Sequence, residues 1–217
     1  MDYEQARFNM VEQQIRTWEV LDPRVLALLS EVRREDFVPP QYKNLAFADM
    51  EIPLGSGEAM LAPKLEARLV QELALTPGDT VLEIGTGSGY MTALLAKLAA
   101  RVHSVERIAA LAEDAQRRLE RHGIANATVE IGDGARGWSP RAPYDAIVLT
   151  GSVPVLPEAF RQQLKVGGRL LAIVGEAPVM TAQLVTAVGA GAFNTVGLFE
   201  TCIPPLRNAL QPERFVF

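Results

Sequence analysis

Three glycines spaced two apart, directly after a short apolar run, are the residues of this 217-residue chain best placed to do chemistry. The segment reads Val81-Leu82-Glu83-Ile84-Gly85-Thr86-Gly87-Ser88-Gly89-Tyr90. Glycine lets a backbone turn sharply after a strand and approach a ligand closely, because no Cβ intervenes. Taken alone, such a loop also serves a phosphate or NAD. The dinucleotide pattern G-x-G-x-x-G requires glycine at position 90, where this chain has Tyr90. Glu83 stands just ahead of the loop, and a carboxylate there suits a cationic ligand group better than a pyrophosphate.

Acidic positions recur at the ends of the next two apolar runs. Glu106 closes one of them, where an acidic side chain accepts hydrogen bonds from both hydroxyls of a ribose. Gly132-Asp133-Gly134 follows the other, in reach of an adenine amino group. In this order, at three successive strand ends, the features point to S-adenosylmethionine as cofactor.

The elements that must position these residues are legible as alternating texture. Strands are predicted over 80–84, 101–106, 128–131, 145–149 and 169–174. Helices are predicted over 89–98 and 108–122, the latter stopped by Gly123. Strands separated by helices imply βαβ units and a parallel sheet, which places ligands at the carboxyl ends of its strands. Residues 183–188 and 195–200, joined by Gly189-Ala190-Gly191, read as an antiparallel pair. Before the sheet, residues 1–50 read as mostly helical: Phe8, Val11, Ile15 and Trp18 fall on one helical face, and Asp22-Pro23 marks a helix start.

Composition narrows the class. Apolar residues make up 48% and charged residues 22%, an ordinary globular balance. The net charge of −5 argues against a broad nucleic-acid-binding face. One cysteine, Cys202, and two histidines, His103 and His122, allow no internal disulfide and no His/Cys metal cluster, so no metal is expected. No apolar run reaches the roughly 18 residues of a membrane span, and the first residues lack a signal-peptide profile, so a cytoplasmic location is expected.

Over nearly its whole length the chain resembles the protein-L-isoaspartate O-methyltransferase family. The resemblance rests on Asp22-Pro23-Arg24-Val25-Leu26, Asp36-Phe37-Val38-Pro39, Ala46-Phe47-Ala48-Asp49, Pro77-Gly78-Asp79, the glycine loop, Val105-Glu106, Gly132-Asp133-Gly134, Ala142 to Ile147 and Gly167-Gly168-Arg169-Leu170. It implies an α/β fold: a doubly wound, Rossmann-like methyltransferase sheet in a single domain, with residues 1–76 as a helical, substrate-side extension and 77–217 as the cofactor-binding core. It implies methyl transfer from S-adenosylmethionine to isoaspartyl carboxylates of damaged proteins, with a protein or peptide as acceptor. The implied cofactor set is Glu83, Gly85, Thr86, Gly87, Gly89, Glu106, Arg107, Asp133, Gly134 and Leu149.

The family stretch Gly-x-Gly-Gln-Thr-Ile-Ser-x-Pro carries the serine usually assigned to the active site. Here it reads Gly55-Ser56-Gly57-Glu58-Ala59-Met60-Leu61-Ala62-Pro63, so the serine position is Leu61 and the threonine position Ala59. No catalytic side chain is assigned within Gly57, Glu58, Ala59, Met60 and Leu61. Glu58 would repel an acceptor carboxylate if it points the same way, and Lys64 is a candidate to compensate. The apolar wall of Ala59, Met60 and Leu61 favours a second reading, a small-molecule acceptor. A third is a non-catalytic cofactor-binding or interaction module. His103, His122, Cys202 and the run 116–121 read as structural. Trp138 reads as packing, with a place near the adenine end.

Overall fold

The computed structural model describes residues 2–212. Asp2 caps α1 (Tyr3–Met10), accepting a 3.1 Å hydrogen bond from the Gln5 amide. A π-helical turn over Val11–Ile15 and a 3-10 turn over Arg16–Trp18 continue it, until Glu19 at φ 61 ends the run. The wider turn breaks the helical period. Phe8, expected on the same buried face as Val11 and Ile15, is therefore 60% exposed, while Arg7 and Met10 point inward. Helix α2 (Pro23–Glu31) starts as its sequence predicts: Asp22 accepts from the Arg24 amide at 2.8 Å, and Pro23 sits where its missing N–H has no partner to lose.

Two 3-10 turns, Arg34–Asp36 and Pro40–Leu45, lead into a hairpin of β1 (Ile52–Gly55) and β2 (Glu58–Met60). The apolar pattern predicts no strand there. The hairpin closes because Gly55, Ser56 and Gly57 all take positive φ, which sets Ile52 opposite Met60. Then comes α3 (Pro63–Leu73), followed, in the alternation that the sequence predicts, by β3 (Thr80–Ile84), α4 (Tyr90–Leu98), β4 (Arg101–Glu106), α5 (Ala109–Arg121) and β5 (Ala127–Ile131).

The alternation lapses after β5. A loop over 132–143, broken by Gly132, Gly134, Gly137, Pro140 and Pro143, replaces a helix before β6 (Tyr144–Leu149). Only the five-residue α6 (Glu158–Gln162) separates β6 from β7 (Leu164–Glu176). The antiparallel pair β8 (Val179–Gly189) and β9 (Ala192–Thr201) is longer than expected and turns at the predicted glycines.

The sheet runs β5-β4-β3-β6-β7-β8-β9, parallel up to β7 and antiparallel beyond it. Chain order steps outward from β3 in one direction to β5 and then in the other through β6, so the loop after β3 lies at the switch point. Alternation along the strands divides the core. Val81, Val102, Val148 and Leu171 pack with α3, α4 and the N-terminal helices. Leu82, Ile84, Val105 and Leu149 pack with Phe160, Leu206 and Ala209 on the other face.

Phe37 joins the N-terminal layer to the sheet domain. It is fully buried, edge-on to Tyr90 at 5.5 Å and stacked on His122 at 4.8 Å. Phe37→Ala should lower the unfolding free energy by about 3–5 kcal/mol, measured by urea denaturation, because the cavity lies between elements that cannot collapse independently.

Candidate active site

At the carboxyl ends of the parallel strands lies an open cleft, where ligands of such sheets bind. The loop after β3 forms its floor. Gly85, Gly87 and Gly89 take φ of 99°, 53° and 85°, a path closed to ordinary side chains. Gly85 and Gly87 line the cleft. Gly89 does not: it begins α4, and a Cβ there would press on Ala115 of α5 at 3.1 Å, so its bareness serves helix packing.

Glu106 lines the cleft and also fixes its floor. Its Oε2 accepts from the Gly87 amide and its Oε1 from the Ile108 amide, both at 2.9 Å. Each oxygen retains a lone pair for a ligand hydroxyl. Arg107 lies beside it on the rim. At the next strand end Asp133 Oδ1 accepts from the Ala135 amide and Oδ2 from Asn208 Nδ2 at 2.6 Å. The Asn208 hydrogen bond is the main cause holding the Asp133 carboxyl below its ordinary range. Gly134 passes under Ile84, where a Cβ would come within 2.6 Å of its side chain. Ile84, Val105, Ile108 and Ala135 supply apolar walls between these acceptors. Such a slot, apolar on its faces and acidic at two edges, fits a nucleoside.

Besides Gly89, two expected cofactor residues lie elsewhere. Glu83 is fully buried on the far side of the strand, with Oε2 accepting from Thr92 Oγ1 at 2.5 Å and Ser104 Oγ at 2.7 Å. Its Oε1 has no partner among the described residues, and burial pushes its carboxyl up to about 8. It braces β3 against β4 and α4 and does not reach the cleft. Leu149, the last residue of β6, points into the core, and its neighbour Thr150 lines the cleft instead.

The hairpin faces the loop. Glu58, Ala59 and Leu61 line the main cleft, while Ala59, Met60 and Leu61 line a smaller adjoining cavity together with Thr86, Ser88 and Met91. Glu58 does not present a bare charge. Arg207 Nε donates to its Oε1 at 2.5 Å, and Arg207 Nη2 donates to the Ser56 carbonyl. Gly57 lies under that guanidinium rather than in the cleft. Lys64 is also out of the cleft, paired with Asp49 at 2.6 Å and stacked over Trp18.

Residues 204–207, with Thr150 and Gly151, complete the wall. The sequence reading missed them. Trp138 packs behind the Gly132-Asp133-Gly134 turn, its ring against Gly132, and is not on the cleft surface. His103 is buried beside Glu130, and burial lowers its pKa. Cys202 is exposed. Of the run 116–121, Leu119 is buried and Arg118 Nη1 donates to the Ser88 carbonyl at 3.1 Å, so this face also supports the loop.

A parallel sheet that switches direction at β3, a glycine loop at that point and acidic acceptors at the next two strand ends define a methyltransferase of the S-adenosylmethionine-dependent class. The family can be stated as well. The sequence profile of "Protein-L-isoaspartate(D-aspartate) O-methyltransferase (PCMT)" matches residues 5–197, and the chain belongs to that family. It is 43% identical over 201 residues to the protein-L-isoaspartate O-methyltransferase of Methanoculleus marisnigri, covering 92% of this chain and 90% of that one. It is 43% identical over 209 residues to the corresponding protein of Rhodopseudomonas palustris, covering 94% and 95%. Its fold is similar to a Plasmodium falciparum structure described as this type of enzyme in complex with S-adenosyl-L-homocysteine, with a TM-score of 0.80 over 95% of this chain and 99% of that one, at 20% identity.

Glu83 generates a prediction about stability. Its folded pKa of about 8 lies above the ordinary value of 4.5, so the folded state binds more protons than the unfolded state between those values. Stability should therefore fall as pH rises from about 5 to 8. Glu83→Gln, neutral throughout, should show a smaller fall in Tm over that range when followed by thermal denaturation.

Proposed function

We propose that the protein transfers a methyl group from S-adenosylmethionine to isoaspartyl carboxylates of damaged proteins or peptides. The observation that carries this reading is that the family match, over residues 5–197, takes in the hairpin, the glycine loop and the acidic strand ends. A protein or peptide acceptor and a cytoplasmic setting belong to the same proposal. No helix among the described residues is long and apolar enough to cross a membrane.

When bound, the cofactor supplies a methyl group on a positively charged sulfur, open to direct displacement. The chain's residues would divide the remaining work. Glu106 would take the ribose hydroxyls with its free lone pairs, Asp133 and Gly134 the adenine edge, and Gly85 and Gly87 the close approach of the backbone. Pro204, Pro205 and Leu206 would exclude water from one side. An acceptor carboxylate is already ionised at neutral pH, so the chain needs no general base. Alignment and exclusion of water supply the acceleration. Arg207 supports the isoaspartyl reading, because pairing with Glu58 removes a bare negative charge from the acceptor side.

One observation favours a second reading. Leu61 and Ala59 stand where the family has hydroxyls, and both line the cleft, which suits a less polar, small-molecule acceptor.

Incubation with an isoaspartyl peptide and methyl-labelled cofactor separates the two: a base-labile methyl ester is expected, and none above background, with S-adenosylhomocysteine still bound, would overturn the isoaspartyl reading alone. Leu61→Ser should raise kcat/KM for the peptide about ten- to a hundredfold, the effect of about 1.5–3 kcal/mol for a hydrogen bond to a charged acceptor. Glu106→Ala should weaken S-adenosylhomocysteine binding by at least tenfold in calorimetry, since it removes ribose acceptors and frees the loop together.

A further inference from the structure

The smaller cavity is bounded by the glycine loop on one side and the hairpin strand on the other, with Met91 and Thr150 between them. Among its lining residues, Glu66 is the one with a charged side chain. It comes from the first turns of α3 and is 3% exposed. Its Oε2 accepts from Arg34 Nη1, and its Oε1 accepts no hydrogen bond among the described residues. The carboxylate is thus anchored by one oxygen, leaving the other for whatever enters beside Gly85 and Gly87.

We propose that Glu66 receives the ammonium group of the cofactor's methionine portion, and so distinguishes an amino-acid-bearing nucleoside from the bare nucleoside. Glu83, the carboxylate that the sequence places ahead of the loop for a cationic group, is sealed behind the strand. Glu66 supplies the same chemistry from a different element. The nucleoside portion has its acceptors, Glu106 and Asp133, in the main cleft. The tail must then pass the loop, where the smaller cavity opens and offers one anion and no cation. The inference rests on the cofactor reading and is independent of the acceptor.

The electrostatic surroundings agree with that geometry. Burial raises the Glu66 carboxyl to about 7, with Arg34 opposing the rise. The charged and titratable groups facing it are Arg34 from the 3-10 turn, Glu83 from β3 and Tyr90 from α4, with Arg7 and Glu35 beyond them. Arg34 alone does not restore an ordinary carboxylate, and a second cation would. Binding the ammonium favours ionised Glu66, so affinity for the amino-acid-bearing ligand should rise with pH up to about 7 and level off above it.

The test compares S-adenosylhomocysteine with 5′-methylthioadenosine, which keeps the nucleoside and lacks the amino-acid tail, by calorimetry on the full chain. Glu66→Gln should weaken S-adenosylhomocysteine about ten- to a hundredfold and leave methylthioadenosine within twofold. In the wild type, affinity for S-adenosylhomocysteine should fall between pH 7 and 5.5, approaching tenfold per pH unit, while methylthioadenosine stays flat. That comparison needs no variant and holds the inference to account if Glu66→Gln does not fold. Equal losses for both ligands, or no loss for either, would overturn the assignment and leave Glu66 as a partner of Arg34 only. If the wild type binds neither ligand, the cofactor reading falls, and the inference falls with it.

Discussion

A single buried guanidinium joins the parts of this protein. Arg34 is 1% exposed, and its donors are shared among three segments: Nε to the Ala46 carbonyl at 2.8 Å, Nη2 to the Leu61 carbonyl at 2.6 Å, and Nη1 to the Glu66 carboxylate. Its plane lies 5.0 Å from the Tyr90 ring at the start of α4. A guanidinium has five N–H donors and no acceptor, so burying it demands that acceptors converge from several directions. Removing one member of such a pair costs about 3–5 kcal/mol, because the other charge is stranded. The N-terminal layer, the hairpin and α3 are therefore held in one geometry by a constraint none can satisfy alone. That same geometry presents Leu61 to the cleft and Glu66 to the smaller cavity beside it.

The loop side is held by carboxylates in two different states. Glu106, at a strand terminus, accepts from two amides and fixes the loop while facing the ligand side. Glu83, two residues before the first loop glycine, sits opposite Ser104 in the parallel register and shares a hydrogen-bonded chain with Ser104, Thr92 and Thr86. One carboxylate shapes the site from the front and the other stiffens it from behind. The difference is one of depth along a strand: by alternation the two share a face, since Glu83 pairs with Ser104 two residues before Glu106, but Glu83 lies inside β3 and Glu106 at the open end of β4.

Position along the strands explains much of what the sequence disclosed and what it hid. The βαβ order from β3 to β5 was legible because apolar runs, glycine stops and amphipathic helices coincide there. Leu111, Ala115 and Leu119 in α5 mark one helical face, and all three are buried. Glu106 and Asp133 were legible as acidic residues closing strands. Glu83 was misplaced toward the ligand because nearness to the loop in sequence does not reveal depth: it lies inside β3, sealed by Thr92 and Ser104, two residues short of the first loop glycine. Leu149 was misplaced by one residue, since the chain leaves the sheet plane only at Thr150. Phe8 was assigned inward on a helical period that a π turn interrupts. Arg207 and Asn208 lay beyond any local pattern, because their partners Glu58 and Asp133 are 149 and 75 residues away. Glu66 belongs to no motif in the sequence, and only the fold shows that it turns toward Arg34.

The segment around residues 204–208 also bears on the order of events as the chain is made. It clips the hairpin through Arg207 and the β5 end through Asn208, and it adds Pro204, Pro205 and Leu206 to the wall. A nascent chain emerges N-terminal end first, at about 5–20 residues per second. The sheet from β3 to β7 can pair before this segment leaves the ribosome, with the crevice open along one flank. Ligand capture in its full form is thus deferred until residues 204–208 have emerged, when this strap crosses a site whose walls from β3 to β7 already stand.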